Sequence, residues 1–312
     1  MKKLRGAVVG VGYLGNFHAQ KIKAHPRADL VGVCDYSFAQ AQKIAKDLST
    51  QAYESPKDLI GSVDFVHIAA STQAHFDLAS LFLAAGIPTL VEKPIAATVQ
   101  QAHQLCDLAE KSLTLLTVGH IERFNPAFQF LKQRLQAPTY FEMNRLAPFR
   151  VRGSDVSVLH DLTIHDIDLV HWLFGASITD FEVTGQKMIR PTYDDVAIRL
   201  KLSNQMQVTI HNSRVTPQIV RNCRLVQKHE TISVNTGSLE AEILSPMPTD
   251  PFYQVEKVQI QKQDALALEV DHFIQAILGE KPLAITAREA TLALERVESF
   301  VQKIDQQQKG QS

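Results

Sequence analysis

The chain has 312 residues, 45% hydrophobic and 21% charged, with a formal net charge of −1. That length accommodates one large domain or two ordinary ones, and the composition is that of a soluble globular protein. So neutral a chain lacks the basic excess of a nucleic-acid binder, and no uninterrupted apolar run reaches membrane-spanning length, which argues against both classes.

Cys34, Cys106 and Cys223 lie far apart, with no CxxC and an odd count, so a reducing compartment and no structural metal site are expected. The start, Met1-Lys2-Lys3-Leu4-Arg5, imitates the basic end of a signal peptide. The apolar segment behind it is short and broken by Gly6, Gly10, Gly12 and Gly15, so a cytoplasmic location is expected.

Leu4 to Val9 reads as a short strand leading into Gly10-Val11-Gly12-Tyr13-Leu14-Gly15, a match to GxGxxG. The three glycines serve a tight turn, close backbone approach to a pyrophosphate, and close packing of helix on strand. The helix expected over 16–24 would aim its free N–H groups at the phosphates. A second apolar run, Leu30 to Cys34, ends in Asp35, twenty residues beyond Gly15. A carboxylate there holds the ribose hydroxyls of NAD and repels the extra phosphate of NADP. Asp35 can also be a helix cap, a job that Ser37 can do equally well.

Helix and strand then alternate. Helices are expected over 37–48, briefly after Ser55-Pro56, over 73–85 and over 98–111, with strands over 64–69, 88–91 and 113–118. Ser71 and Thr72 stand at the start of one helix, with His75 one turn in, near the edge where a cofactor would lie. Such alternation implies a parallel, doubly wound sheet. The strand over 88–91 closes in Glu92-Lys93-Pro94, putting a lysine at the sheet edge where open α/β folds bind ligands. Burial or neighbouring charge can fit a lysine for proton exchange, although Lys and Glu beside Pro are also common in plain surface turns. The first domain is expected to span residues 1–120, and the second 121–312.

The stretch 119–126, Gly-His-Ile-Glu-Arg-Phe-Asn-Pro, is dense in polar and aromatic groups, as an inter-domain connector or a ligand edge would be. A helix over 127–135 and a strand over 140–146 follow. In 159–169, Asp161 and His165 are spaced i and i+4 and would share one helical face, with Asp168 and Trp172 near the same line. An imidazole beside a carboxylate can be tuned as a general base, while the same pattern also describes the solvent face of an amphipathic helix. From about 178 to 260 the apolar period is two, which implies an antiparallel or mixed sheet. Helices over 266–278 and 287–303 close the chain and are free to pack back on the first domain. Residues 306–312 read as a frayed polar tail.

Taken together, GVGYLG at 10–15, EKP at 92–94 and the Asp-x-x-x-His pair at 161 and 165 resemble, in order and spacing, the Gfo/Idh/MocA oxidoreductases over nearly the whole chain. The resemblance implies an amino-terminal Rossmann domain and a carboxyl-terminal α/β domain with an open, mainly antiparallel sheet. It also implies NAD-dependent oxidation of a CH–OH group, with Lys93, Asp161 and His165 as the catalytic group. Gly10, Gly12, Tyr13, Leu14, Gly15, Asp35, Ser71, Thr72, His75, Glu92 and Lys93 would then line the cofactor. Lys93, Arg123, Asn125 and His165 would meet the substrate. Many members carry a glycine-rich run before the aspartate, where this chain has Val156-Ser157-Val158-Leu159-His160, so the backbone is expected to take another path there.

Within the family, 119–126 and 161–169 resemble nucleotide-sugar 3-dehydrogenases, above all those acting on UDP-N-acetylglucosamine for lipid A diamino-sugar synthesis. That implies a UDP-sugar substrate, a PLP-dependent aminotransferase partner consuming the 3-keto product, and a homodimer or homotetramer. The alternatives are an inositol dehydrogenase, a UDP-sugar acid dehydrogenase using Arg123, Arg145 or Arg152, and a sugar sensor without turnover. A sensor has no need of the proton-transfer set.

Overall fold

The computed structural model describes residues 3–151 and 156–310. The chain divides into two compact units, Met1–Ile121 with Asp264–Leu294, and Glu122–Gln263 with Glu295–Ser312.

The first unit opens with β1 (Leu4–Val9), α1 (Tyr13–Ala24), β2 (Ala28–Cys34), α2 (Phe38–Asp47) and β3 (Gln51–Tyr53). It continues with a 3-10 turn (Pro56–Leu59), β4 (Phe65–Ile68), α3 (Thr72–Ala84), β5 (Thr89–Glu92), α4 (Val99–Lys111) and β6 (Leu116–Gly119). The sheet order is β3-β2-β1-β4-β5-β6, and every pairing is parallel. Strands covered on both faces read as continuous apolar runs, as the wholly buried β4 does. Strand order reverses between β2 and β4 around β1, so the switch-point crevice opens at the carboxyl end of β1. Strand β6 starts three residues later than expected because Leu113, at φ 50, sits in the left-handed conformation that ends α4.

The second unit contains a 3-10 turn (Ile121–Phe124, entered from the first unit), α5 (Pro126–Gln133), β7 (Pro138–Leu146) and a π-helical turn (Leu159–Thr163) running into α6 (Ile164–Phe174). Strands β8 (Ile178–Gln186), β9 (Asp195–Leu202), β10 (Gln207–Ser213), β11 (Val220–Gln227), β12 (Glu230–Asn235), β13 (Glu240–Pro246) and β14 (Tyr253–Gln259) follow. They form one sheet, β14-β13-β12-β11-β7-β10-β9-β8, antiparallel except where β7 and β10 run parallel. In β9 the alternation buries Val196, Ile198, Leu200 and Leu202 and exposes Ala197, Arg199 and Lys201, leaving one face dry and one wet.

Helix α7 (Ala265–Ile277) returns to the first unit, where Val270, Phe273 and Ile274 join Val8, Phe65 and Leu90 in the core. Helix α8 (Ala287–Lys309) begins in the first unit and continues in the second, outrunning the expected end at 303 and occupying much of the expected frayed tail. Gln and Lys favour helix, and contacts hold the extra turns: Tyr193 donates to Asp305, and Gln308 donates to the Gly185 carbonyl at 3.3 Å.

Candidate active site

The turn after β1 separates the three glycine roles. Gly10 has φ +84, and a Cβ there would lie 2.5 Å from the Ala70 nitrogen. A Cβ on Gly15 would sit 1.8 Å from the Gly10 carbonyl oxygen, so only glycine lets α1 pack this closely. A Cβ on Gly12 would meet nothing within 4 Å, which leaves space over the turn. Helix α1 has no acidic residue in its first turn and no side-chain cap, so its amino end can receive an anion. Tyr13 and Leu14 begin that helix and are exposed. Asp35 follows β2 with its carboxylate fixed: Oδ2 accepts from the Val11 N–H at 2.8 Å and Oδ1 from the Ser37 N–H at 2.9 Å. Ser37 caps α2 by position, so the cap role and the carboxylate beside the glycine turn fall to two different residues. Open space, a helix amino end without a side-chain cap and a placed carboxylate together fit a dinucleotide.

Ser71 precedes α3 and Thr72 begins it, both at the β4 edge. His75 is buried between two carbonyls, with Nδ1 2.8 Å from Pro94 O and Nε2 3.1 Å from Ala70 O. Burial pushes its imidazole below the ordinary value, although both carbonyls oppose this. A neutral ring donates to one carbonyl only, and in this position it braces the Glu92-Lys93-Pro94 turn against the loop after β4. Glu92 ends β5, where its Oε1 is 2.7 Å from His18 Nε2 and its Oε2 accepts from the Lys93 N–H at 3.3 Å. Burial works to raise the Glu92 carboxyl, but His18 and Lys93 outweigh it and hold it below the carboxylate range. Lys93 follows, partly buried.

In the second unit, Asp161 lies in the π-helical turn and is partly buried, and His165 lies in the first turn of α6 at 9% exposure. The segment is therefore not one uniform α-helix, and its wider first turn coincides with the sequence that departs from a glycine-rich run. Buried polar pairs fix it on both sides of His165. Thr163 donates to Asn212 Oδ1 at 2.5 Å, and Asn212 donates to Asp166 Oδ2 at 2.8 Å. Arg145 donates from Nε to Asp166 at 2.5 Å and from Nη1 to Glu122 at 2.7 Å. Burial pushes the Asp166 carboxyl up from its ordinary value, against Arg145 and Asn212. For Glu122 the balance reverses: burial opposes, yet Arg145 and Asn125 hold it low. Burial alone would lower the Arg145 guanidinium, but its two carboxylates drive it up.

The structure gives several of the sequence-predicted residues partners inside the fold. Arg123 is 2% exposed and gives Asp168 two bonds, at 2.9 and 2.6 Å, so its charge is paired inside the fold. Asp168 is the partner of that guanidinium, one turn beyond His165 in α6. Asn125 caps α5, accepting from the Ala127 N–H at 3.0 Å and donating to Glu122 at 3.0 Å. Arg145, a candidate for a substrate acid, is likewise committed, and Arg152 lies outside the described residues. Sequence reasoning missed the Arg145–Asp166–Asn212 network. The available signal was two aspartates, 166 and 168, in an otherwise apolar helix, which burial obliges to find partners.

Residues 4–120 match the family model described as an oxidoreductase family with an NAD-binding Rossmann fold. Residues 135–233 match the GFO/IDH/MocA C-terminal domain. The chain is 35% identical to a UDP-N-acetylglucosamine 3-dehydrogenase of Acidithiobacillus ferrooxidans, over 91% of each chain. A solved structure of that enzyme, GnnA, aligns with a TM-score of 0.89 at 33% identity, covering 96% of this chain and 97% of that one. A scyllo-inositol 2-dehydrogenase (NAD(+)) of Bacillus subtilis is 25% identical over 94% of this chain and 92% of its own. A glycine turn shaped for a dinucleotide, a Glu-Lys-Pro strand end and matches across both units thus converge: the chain belongs to the Gfo/Idh/MocA oxidoreductases and is an NAD-dependent dehydrogenase.

Proposed function

We propose that the enzyme oxidises the C3 hydroxyl of a UDP-sugar, UDP-N-acetylglucosamine, to the 3-ketone. The observation that carries this reading is the 35% identity, over 91% of each chain, to an enzyme of that name. His165, oriented by Asp161 and acting with Lys93, removes the hydroxyl proton, and the Lys93 ammonium steadies the developing alkoxide. The glycine turn and Asp35 would hold NAD, which would supply the hydride acceptor. Anchoring of Thr163 and Asp166 on either side of His165 supports a held imidazole, since general bases work at hydrogen-bond distance. Lys93 is constrained through its neighbours, with Pro94 tied to His75 and Glu92 to His18.

The product class calls for a PLP-dependent aminotransferase that traps the ketone as a 3-amino sugar. We assign the enzyme to the cytoplasm, a reading supported by its three free cysteines. No helix among the described residues is long and apolar enough to cross a membrane. Exposed Leu244, Met247, Phe252, Tyr253 and Val255 at the β13–β14 end of the sheet support association as a dimer or tetramer.

A second reading, oxidation of an inositol or related polyol, is favoured by one observation. Arg123 and Arg145, the natural candidates for a diphosphate or uronate, are bound to Asp168, Asp166 and Glu122. The deciding experiment incubates the protein with NAD, UDP-N-acetylglucosamine, glutamate and a matching aminotransferase, with mass spectrometry of the sugar nucleotide. A 3-amino product that disappears when the protein is omitted supports the first reading. NAD reduction with inositols and no amino sugar selects the second. In the active assay, Lys93→Ala and His165→Ala should each lower kcat by about 10²-fold or more with NAD still bound; near wild-type turnover would remove them from these roles.

A further inference from the structure

Under the Glu92-Lys93-Pro94 turn, the first unit buries four ionisable groups from four elements: His18 of α1, His67 of β4, Glu92 of β5 and Glu269 of α7. Glu269 is 3% exposed, and neither of its carboxyl oxygens has a hydrogen-bond partner. Its helix packs Phe273 against Phe65 and His67. Ligand atoms of His18, Glu92 and Glu269 all lie within 4.8 Å of one another. Glu92 has little room to move away, because its carboxyl lies over Gly119, where a Cβ would be 2.9 Å from Oε1.

Two carboxylates this close, away from water, cannot both ionise without compensation. Glu92 has compensation in His18 and in Lys93 beside it. Glu269 faces Glu92, while Lys21 pairs with Asp264, and His25 and Arg27 pair with Asp271. His67 is kept neutral by burial, and its Nδ1 is 3.0 Å from His18 Nδ1. If His18 donates from Nε2 to Glu92, its Nδ1 accepts the His67 proton, a chain that does not include Glu269 and leaves His67 Nε2 without a partner. A bound cation would be another way to neutralise the pair, but His18 Nε2 is already turned to Glu92 at 2.7 Å, a distance that holds a proton.

We propose that Glu269 is a neutral carboxylic acid that shares its proton with Glu92, through a small side-chain rotation or one bridging water. By doing so it acts as a positioning residue, orienting Glu92 and limiting the pocket behind Lys93 to a single negative charge. The functional half of this inference rests on the reading of Lys93 as a proton-transfer group, and the structural half does not.

The structural half is read without substrate. Infrared difference spectra between wild type and Glu269→Gln should contain the carbonyl stretch of an un-ionised carboxylic acid, lost in the variant. Burial first, and then the Glu92 charge, raise the Glu269 carboxyl well above its ordinary value. A carboxyl raised in the folded state contributes stability that is complete below its ordinary value and is lost as pH rises through the raised one. The Tm of Glu269→Gln minus that of wild type should therefore grow from about pH 5 to about pH 8. A missing infrared band, or a Tm difference that is flat or falling with pH, overturns the proposal. So does a stoichiometric divalent metal, found by elemental analysis, that the variant loses.

The functional half is read from turnover. Glu269→Leu should lower kcat on the order of 10-fold with KM for NAD little changed, and Glu269→Gln, which keeps a donor, should turn over faster than Glu269→Leu. Equal losses in the two variants would reduce Glu269 to a packing residue. If wild type oxidises neither UDP-N-acetylglucosamine nor inositols, the functional reading fails, while the infrared and Tm outcomes still decide the state of Glu269.

Discussion

Asp35 shows how one side chain can serve fold and specificity together. Its two oxygens take the N–H groups of Val11 and Ser37, so the residue that would discriminate the ribose also ties the glycine turn to the end of β2. Asp35→Ala should lower the ratio of kcat/KM for NAD over NADP by about 10-fold or more, because both the ribose acceptor and the charge that repels a 2′-phosphate are lost. It should also cost roughly 1–3 kcal/mol of stability through its unpaired N–H groups, measured by urea denaturation. An unchanged cofactor ratio would remove Asp35 from that role even if the stability loss were seen. Gly15 serves packing: a Cβ on it would stand 1.8 Å from the Gly10 oxygen, so its bareness lets helix α1 lie against the turn.

At the scale of an element, the π-helical turn and α6 carry more buried charge than a mostly apolar helix ordinarily tolerates. Arg145 joins two carboxylates from different parts of the second unit, and Asn212 completes the shell of Asp166. Such pairs add little net stability when intact, but removing one partner strands the other in a medium that cannot solvate it. Asp166→Ala should therefore cost about 3–5 kcal/mol, whereas replacing Asp166 and Arg145 together by apolar residues should cost less than the single change. Equal or greater loss in the double variant would contradict this account. Glu122 supplies the pH dependence: its carboxyl is held low, so it contributes stability above its ordinary value and loses it as pH falls through the lowered one. Glu122→Gln should destabilise at neutral pH and approach wild type in acid, as followed by chemical denaturation at both pH values.

For the whole molecule, the main consequence is that the first unit is discontinuous in sequence. Val270, Phe273 and Ile274 of α7 complete a core begun by Val8, Phe65 and Leu90, and Thr117 donates to the Ile285 carbonyl at 2.8 Å. Thr291 and Arg288, early in α8, meet Cys106 and Glu110 of α4. A chain ending at Ile121 would expose the apolar face that α7 covers. It should retain helical far-ultraviolet circular dichroism but lose near-ultraviolet signal and bind a hydrophobic dye. A cooperative, dye-negative transition in that fragment would show that α7 is dispensable to the core.

The alternation of strand and helix, the glycine turn and the Glu-Lys-Pro strand end are legible in the amino-acid order, because periodicity and turn chemistry act between near neighbours. The Asn125-Pro126 cap is legible by the same rule, as a side-chain acceptor followed by a proline at the first helical position. Partner choice is not legible. Arg123 meets Asp168 across 45 residues, Arg145 meets Asp166 across 21, and Asn212 meets Asp166 across 46. Nothing in a local pattern says which buried charge will neutralise which, since that depends on how strands from distant segments stack. The sequence by itself determined the architecture and the residue types at each strand end. Tertiary structure alone decided that Arg123 and Arg145 are consumed inside the fold, and that Glu269 comes to lie behind Lys93's neighbour, because desolvation makes every buried charge answer to whatever the packing brings beside it.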